Sequence, residues 1–316
     1  MHRLALVVFV VLNALYISEC LEHDCPPTFE SKECTCVPAF GKVFLECSGL
    51  RSLKQLKDVF TTMKGYALTE LKIRNSNFPY IPYDLFKDSS VTRIRISNST
   101  LLYLFNRDLI SVEETVTEIL LENVDFDGGL DWSILENLSR LKTLSLLHTS
   151  LETIGYEVSQ LELPVETLLM SDNEIVMLDD GAFQKFTSLT NLKLSNNEIT
   201  EVKRSMFPQP TCGLQFLDLS FNQLTSFPED MFDGMPQFHS LILRSNDFVS
   251  LDHIHVRSIF PALAFLDVSD NPLRCGCELS WLLEEDKPYH FFGQCKNIQD
   301  SKNLKDLAKE DFAECE

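Results

Sequence analysis

Eight cysteines stand in two groups of four whose spacing could hold a metal or close disulfides. Cys25, Cys34, Cys36 and Cys47 read C-x8-C-x-C-x10-C, and Cys275, Cys277, Cys295 and Cys315 read C-x-C-x17-C-x19-C. Four thiolates suit structural zinc. In an oxidising compartment the same clusters close disulfides instead, and spacing alone leaves three pairings open in each group. The histidines offer little more. His253 and His255 form an H-x-H, and His290 lies between two cysteines of the second group. None of them has carboxylates or cysteines at ligand spacing, so they read as solvated or capping side chains. H-E-x-x-H, G-x-S-x-G, a Walker loop and G-x-G-x-x-G are absent from the sequence, and with them the usual arrangements for hydrolysis, nucleophilic attack and nucleotide binding. The run Glu284-Glu285-Asp286 reads as a solvated helix end. The expectation is therefore no enzyme, no cofactor and no metal.

The compartment follows from the first residues. Arg3 precedes an apolar run, residues 4–17, and then Ser18-Glu19-Cys20. This is the pattern of a secretory signal peptide, residues 1–20, with cleavage expected after Cys20. A span would need about 20 apolar residues, and Glu19 argues against lipid attachment at Cys20. No second run of spanning length and no hydrophobic tail follows, so the product is expected to be secreted, extracellular and not inserted in a membrane. The formal charge of −20 disfavours nucleic acid, since an acidic field repels polyanions. Once Cys20 is removed, Cys212 is the odd cysteine. It is either a buried thiol acting as a small hydrophobe or the link of a disulfide-bonded oligomer.

The elements that position these residues are legible as a repeat. L-x-x-L-x-L-x-x-N recurs in strings ending at Asn173, Asn197, Asn222, Asn246 and Asn271. The same frame fits four earlier strings that begin at Leu68, Val91, Val116 and Leu141. Nine repeats with starts 23 to 25 residues apart match the leucine-rich repeat, one short strand and a return segment per unit. The predicted fold class is an α/β solenoid, a leucine-rich-repeat horseshoe with parallel strands on its concave face and disulfide-bonded caps at both ends. The last two leucines of each unit alternate with polar residues, as on a strand with one buried face. The asparagines are expected to satisfy backbone groups at successive turns. Ser76, Ser99, Val124 and Thr149 take that place in the first four units; Val124 can form none of those bonds, so the turns there are expected to be less regular. Phe86, Phe183, Phe207 and Phe232 recur late in their units and read as a packing spine.

The predicted organisation is a signal peptide (1–20), an N-terminal cysteine cap and lead-in (21–67), nine repeats (68–274) and a C-terminal cysteine cap (275–316). In the last of these, Glu278 to Glu285 reads as a short helix whose Trp281 and Leu282 cover the final coil. The outward strand positions define the expected binding face. Lys72, Arg74, Arg93 and Arg95 cluster on its first two strands, either as ladders neutralised by Glu70 and Glu118 or as a site for an acidic partner. Leu120, Leu147 and Leu169 present apolar side chains in the middle of the face, and Phe216, Ile242 and Phe265 do so near its C-terminal end. Neighbouring exposed apolar residues point to a protein partner. Asn98 and Asn137 begin N-x-S/T sequons and are candidate glycan sites. A glycan on Asn98 would stand beside the basic cluster.

Both cysteine groups resemble the flanking caps of extracellular leucine-rich-repeat proteins. The stretch C-P…C-x-C…L-E-C-S from Cys25 to Ser48, together with N-P-L-R-C-G-C-E-L-S-W-L-L from Asn271 to Leu283, is similar to the arthropod family named after the non-catalytic subunit of Oplophorus-luciferin 2-monooxygenase. The cap resemblance implies disulfides Cys25–Cys36, Cys34–Cys47, Cys275–Cys295 and Cys277–Cys315. The family resemblance implies a soluble, non-catalytic partner subunit that engages a protein through its concave face. The alternatives are a soluble immune-recognition ectodomain and an extracellular-matrix structural protein; the long Ser-Gly tracts that would favour the last are missing.

Overall fold

A computed structural model describes residues 24–210, 212–296 and 302–315. The expected signal peptide and Cys20 lie outside the described residues. The chain forms two compact units, Met1–Arg140 and Leu141–Glu316.

The first unit opens with an antiparallel hairpin, β1 (Cys34–Ala39) and β2 (Lys42–Ser48), in register from Cys34 opposite Cys47 to Ala39 opposite Lys42. Disulfides join Cys34 to Cys47 across this pair and Cys25 to Cys36 behind it. Strand β2 is also the first parallel strand of the sheet. It pairs with β3 (Ala67–Arg74), which pairs with β4 (Ser90–Leu101), which pairs with β5 (Glu118–Phe126). Between β2 and β3 the chain forms helix α1 (Leu53–Thr62), begun by a capping box in which Ser52 and Gln55 bond each other's backbone N–H. Its apolar side is buried, and Phe60 packs edge-on against Phe86, 5.2 Å between ring centres.

The absence of turn asparagines in this unit has a structural counterpart. Ser76 Oγ accepts from Leu50 N (3.0 Å) and Ser99 Oγ accepts from Ser76 N (3.1 Å), each hydroxyl replacing one amide bond. Val124 is buried and cannot bond. There β4 and β5 continue past the turn, pairing Ser99 with Val124 and Leu101 with Phe126. The backbone satisfies itself by a longer ladder that runs on past the positive-φ turns at Asn98 and Asn123.

In the second unit the parallel strands are short: β6 (Thr143–Leu147), β8 (Thr167–Leu169), β10 (Asn191–Lys193), β11 (Phe216–Asp218), β12 (Ser240–Ile242), β13 (Phe265–Asp267) and β14 (His290–Phe292). A small outer pair, β7 (Thr153–Ile154) and β9 (Met177–Leu178), runs beside them. The strands are short because an asparagine amide takes over where each ends. Asn222 Nδ2 donates to Leu194 O (2.9 Å) and Leu219 O (3.1 Å), while its Oδ1 accepts from Ile199 N (3.0 Å). Asn197, Asn246 and Asn271 repeat these bonds one coil apart, and Asn173 bonds Thr149 N and Leu146 O. The residue before each of these asparagines turns through positive φ: Asp172, Asn196, Phe221, Ser245 and Asp270, all between 54° and 57°. Short polar side chains suit that conformation; a bulky one such as Phe221 is an exception. Phe183, Phe207 and Phe232 form the buried opposite wall.

Two features of this unit were not legible in the repeat pattern. Arg204 is buried, and its guanidinium donates to three carbonyls, Asp233 O (2.5 Å), Phe207 O (3.4 Å) and Pro210 O (3.4 Å). It ties the irregular stretch around residue 210 to the next coil. Gly234 sits at φ +67°, where an added Cβ would lie 2.3 Å from Pro210 O. Cys212 beside this knot is 1% exposed, and burial pushes its thiol pKa up. That burial favours the core-thiol reading of Cys212 over the disulfide-linked oligomer.

The C-terminal end is closed by disulfides Cys275–Cys295 and Cys277–Cys315. The expected helix is a tighter 3-10 turn, Cys277–Leu283. Its Trp281 donates from Nε1 to Leu251 O (3.0 Å) and stacks on His253, with Phe260 against its edge.

The amide ladder carries a measurable share of stability. Asn222→Ala leaves several buried backbone groups unpaired, each worth about 1–3 kcal/mol. We expect it to lower unfolding stability by about 2–4 kcal/mol in urea titrations, whereas Gln223→Ala, at an exposed neighbouring position, should change it by less than about 0.5 kcal/mol.

Candidate functional site

Outward side chains of parallel strands form stripes across the sheet, and the strand register fixes their membership. In the first unit Phe44, Glu70, Arg93 and Glu118 form one stripe, Glu46, Lys72, Arg95 and Leu120 the next, and Ser48, Arg74, Ser97 and Glu122 the third. The four predicted cations do come together, interleaved with carboxylates. Arg93 bonds Glu118 with both Nε (2.6 Å) and Nη2 (2.9 Å) and reaches Glu70 with Nη1 (3.3 Å). Arg95 bonds the other oxygen of Glu70 (3.0 Å). Arg74 bonds Glu46 (3.2 Å), and Lys72 lies 3.8 Å from the same carboxylate.

The bidentate bond to Arg93 holds the Glu118 carboxyl below its ordinary value and, reciprocally, raises Arg93. All four cations are thus already paired, which is the ladder arrangement and leaves little to attract an acidic partner. Glu46 was missed in the sequence because it belongs to the cysteine cap; the alternation F-L-E-C-S in that cap is the signal that β2 is a strand of the sheet. Leu120 stands half-buried beside Arg95.

The second unit presents a different surface. One stripe runs Thr143, Thr167, Asn191, Phe216, Ser240, Phe265 and His290; the next runs Ser145, Leu169, Lys193, Asp218, Ile242, Asp267 and Phe292. Phe216, Ile242 and Phe265 are half-buried. The last strand extends the set with two residues that sequence reasoning placed in the cap, His290 and Phe292. Phe265 lies 5.8 Å from the His290 ring and 5.7 Å from that of Phe292, which is 47% exposed. Lys193 Nζ stands 5.5 Å from the centre of the Phe216 ring, and Arg244 stands over Phe221 while its Nη2 bonds Asp270 (2.8 Å). Asp218 and Asp267 each accept from the serine two residues on, Ser220 (2.6 Å) and Ser269 (2.5 Å), which fixes their carboxylates on the face. Neither aspartate has a salt bridge among the described residues. Beside Phe292 opens a groove of about 500 Å³ that Arg244, Asp267 and Lys305 help to line. Leu147 and Leu169 are half-buried at the other end of this unit, away from the aromatic set.

The sequons differ in accessibility. Asn98 is exposed at φ +48°, accepting one bond from Asn123 Nδ2 (2.9 Å). Asn137 is half-buried; its Nδ2 donates to Leu109 O (2.6 Å) and its Oδ1 is buried. Among the described residues no cluster of three or more His, Cys, Asp or Glu could hold a metal ion, and no helix is long and apolar enough to cross a membrane. His253 meets one carboxylate, Glu285, at 3.4 Å.

Comparison with known proteins adds the family. A model described as "Leucine rich repeat" matches residues 164–212 and 188–248. Lumican of Coturnix japonica is 31% identical over 186 residues, 54% of this chain and 50% of that one, and lumican of Oryctolagus cuniculus is 30% identical over 152 residues, 46% and 76% of the two chains. The Oplophorus-luciferin 2-monooxygenase non-catalytic subunit of Oplophorus gracilirostris is 23% identical over 291 residues, 82% of this chain and 79% of that one. A solved chain from an octameric complex of latrophilin 3, Unc5D and FLRT2 (LRR) shares the fold at a TM-score of 0.58 and 15% identity, covering 82% of this chain and 86% of its own. The chain belongs to the leucine-rich-repeat family. It spans about half the length of the lumicans that head the matches. As a leucine-rich-repeat protein it carries its outward chemistry on strand stripes, the surface that stacked repeats offer to partners.

The charged stripe makes a pH prediction. Glu118 has a folded pKa below its ordinary 4.5, so its contribution is present above that value and is lost as pH falls through the lower folded one. Glu118→Gln should be less stable than the native chain at pH 7, by about 1 kcal/mol for a partly exposed pair. That difference should close as the pH of the unfolding titration drops below about 4.5.

Proposed function

We propose that this chain is a secreted, extracellular leucine-rich-repeat binding subunit that performs no catalysis and engages a protein partner through the strand face of its second unit. The observation that carries the reading is the aromatic set on the strand face, Phe216 and Phe265 half-buried and Phe292 exposed, beside the half-buried Ile242. Rigid aromatic side chains dominate the energetics of protein interfaces. The cations Lys72, Arg74, Arg93 and Arg95 are spoken for by glutamates and are not counted in the contact; Leu120, Leu147 and Leu169 are secondary to the aromatic end. The relative whose name includes "non-catalytic subunit" supports a role as partner.

The same reading takes residues 1–20 as a removed signal peptide, 21–67 as N-terminal cap and lead-in, 68–274 as nine repeats and 275–316 as C-terminal cap. The disulfides at both ends support an oxidising destination. Glycosylation belongs at Asn98, whose amide is free to carry a sugar, and not at Asn137, whose amide nitrogen is engaged. Peptide mapping by mass spectrometry of secreted protein should find a glycan on Asn98 and a bare Asn137. Sugar on Asn137 would mean that its amide is released in the native coil.

The binding claim is tested with Phe265→Asp, a change on a half-exposed face that should leave the melting temperature within a few degrees of the native value. The native chain, returned to the fluid it comes from, should elute in size-exclusion chromatography as a complex, and the variant as a monomer. A monomeric native chain, or an unchanged complex with the variant, would sink the reading.

A further inference from the structure

The groove beside Phe292 is set between the end of the sheet and the C-terminal cap. Arg244, Asp267 and Phe292 line it from the sheet, and Asn303, Lys305 and Asp306 line it from the cap. The two walls are tied together. Leu304 N donates to Gly293 O (3.0 Å), and Lys287 Nζ donates to Leu304 O (3.3 Å) and Lys305 O (2.9 Å). Gly293 lets the walls approach: a Cβ there would lie 2.6 Å from Val268 Cγ2 and 2.8 Å from Leu304 Cδ1. The opening of about 500 Å³ has the size of a small-ligand site, roughly 300–1,000 Å³.

The chemistry of this groove is balanced. Its charged lining, Arg244 and Lys305 against Asp267 and Asp306, sums to zero in a chain whose formal charge is −20. An ion of either sign meets a like charge there. Two of the polar groups are held in place by neighbours. Ser269 donates to Asp267 through N (2.9 Å) and Oγ (2.5 Å), both on Oδ1, and Oδ2 has no bond among the described residues. Asp270 takes Nε (2.9 Å) and Nη2 (2.8 Å) of Arg244, which also lies over the Phe221 ring; Nη1 has no bond among the described residues. On the cap side Asn303 donates weakly to Asp306 (3.4 Å) and adds an amide that both donates and accepts. Phe292 shows a ring that is 47% exposed and lies 5.7 Å from that of Phe265.

We propose that this groove is a saccharide site and receives a neutral oligosaccharide. A sugar ring carries hydroxyls around its rim, each able to donate one hydrogen bond and accept two. Such a ligand needs interspersed donors and acceptors without net charge, which is what the groove supplies. Asp267 Oδ2 and Arg244 Nη1 bond hydroxyls of the ring, and its apolar C–H face packs on Phe292. A purely apolar ligand would leave these polar groups covered and unpaired. Walls already fixed lower the ordering cost of binding. The site goes beyond the protein contact proposed above. It lies at the C-terminal edge of that contact, shares Phe292 with it and takes a different class of ligand.

The probes are the trisaccharides of N-acetylglucosamine, mannose and glucose, each titrated against the full secreted chain by saturation-transfer NMR. At least one should bind with a dissociation constant of about 1 mM or tighter, its signal strongest on the C–H protons of one ring face. Phe292→Ala should weaken that binding by about fivefold or more. Asp267→Asn keeps an acceptor for Ser269 and turns Oδ2 into a donor; it should weaken binding by about threefold or more. Both variants should keep the melting temperature within a few degrees of the native value. Glu229→Gln, at an exposed position outside the groove, should change affinity less than about twofold. The cationic glucosamine trisaccharide and a sulfated N-acetylglucosamine trisaccharide should both bind more weakly than the best neutral one.

No binding of any neutral trisaccharide at about 10 mM, binding untouched by Phe292→Ala, or tighter binding of either charged trisaccharide would each overturn the proposal. The two readings fail separately. A chain that elutes as a monomer in native fluid yet binds a trisaccharide sinks the protein contact and leaves the groove standing. A native complex lost with Phe265→Asp, in a chain that ignores all three sugars, does the reverse.

Discussion

A coil that turns back on itself about every two dozen residues brings backbone N–H and C=O groups inward where no strand partner meets them. Left unpaired in an apolar interior, each would cost about 1–3 kcal/mol, and a stack of coils would fail at its turns. The side-chain amide of one asparagine per coil solves this in the second unit. It donates back to the previous coil and to its own, and it accepts from a backbone N–H on the previous coil. Because the bonds run between coils, they set the stagger of one coil on the next. The strand register, and with it the membership of every outward stripe, follows from that stagger.

The first unit reaches the same end by other means. Two serine hydroxyls and a prolonged β4–β5 ladder replace the amides. Longer strands make a broader face in which charged side chains sit directly opposite one another, and opposite charges in such pairs attract. The pairing is nearly complete there, with Glu46, Glu70 and Glu118 shared among four cations. In the second unit the short strands end in fixed turns, and the face carries aromatic rings and aspartates held by their own serines. One surface is internally satisfied; the other carries half-buried apolar side chains and aspartates with no salt bridge among the described residues.

Much of this was legible in the sequence, for reasons of period. A repeat of 23 to 25 residues with leucines at fixed offsets identifies the strands, and side-chain alternation then assigns Phe216, Ile242 and Phe265 to the outside. What the pattern could not give were partnerships that cross from cap to repeat. Glu46 and Phe292 belong to stretches that break the repeat frame, so their place on the face depends on strand pairing that only the fold reveals. Arg204 was unreadable for a different reason. Its partners are backbone carbonyls, which carry no sequence signature, and nothing about an arginine in a polar stretch announces burial. Cys212 was left open between core thiol and crosslink, and its burial beside that arginine favours the core thiol.

The strand face has a freedom that the rest of the fold lacks. Inward leucines, the phenylalanine wall and the turn amides are each constrained by neighbours on both sides, since every coil packs on the next. Outward strand residues face solvent and carry few of those constraints. A sheet so exposed would be expected to bear polar groups, and unpaired apolar area on it costs solubility without strengthening the core. The proposed contact accounts for the aromatic side chains Phe216, Phe265 and Phe292 there. In this protein they stand beside Asp218 and Asp267, which accept from Ser220 and Ser269 and have no salt bridge among the described residues. Rings alone fit many partners; carboxylates beside them disfavour acidic ones.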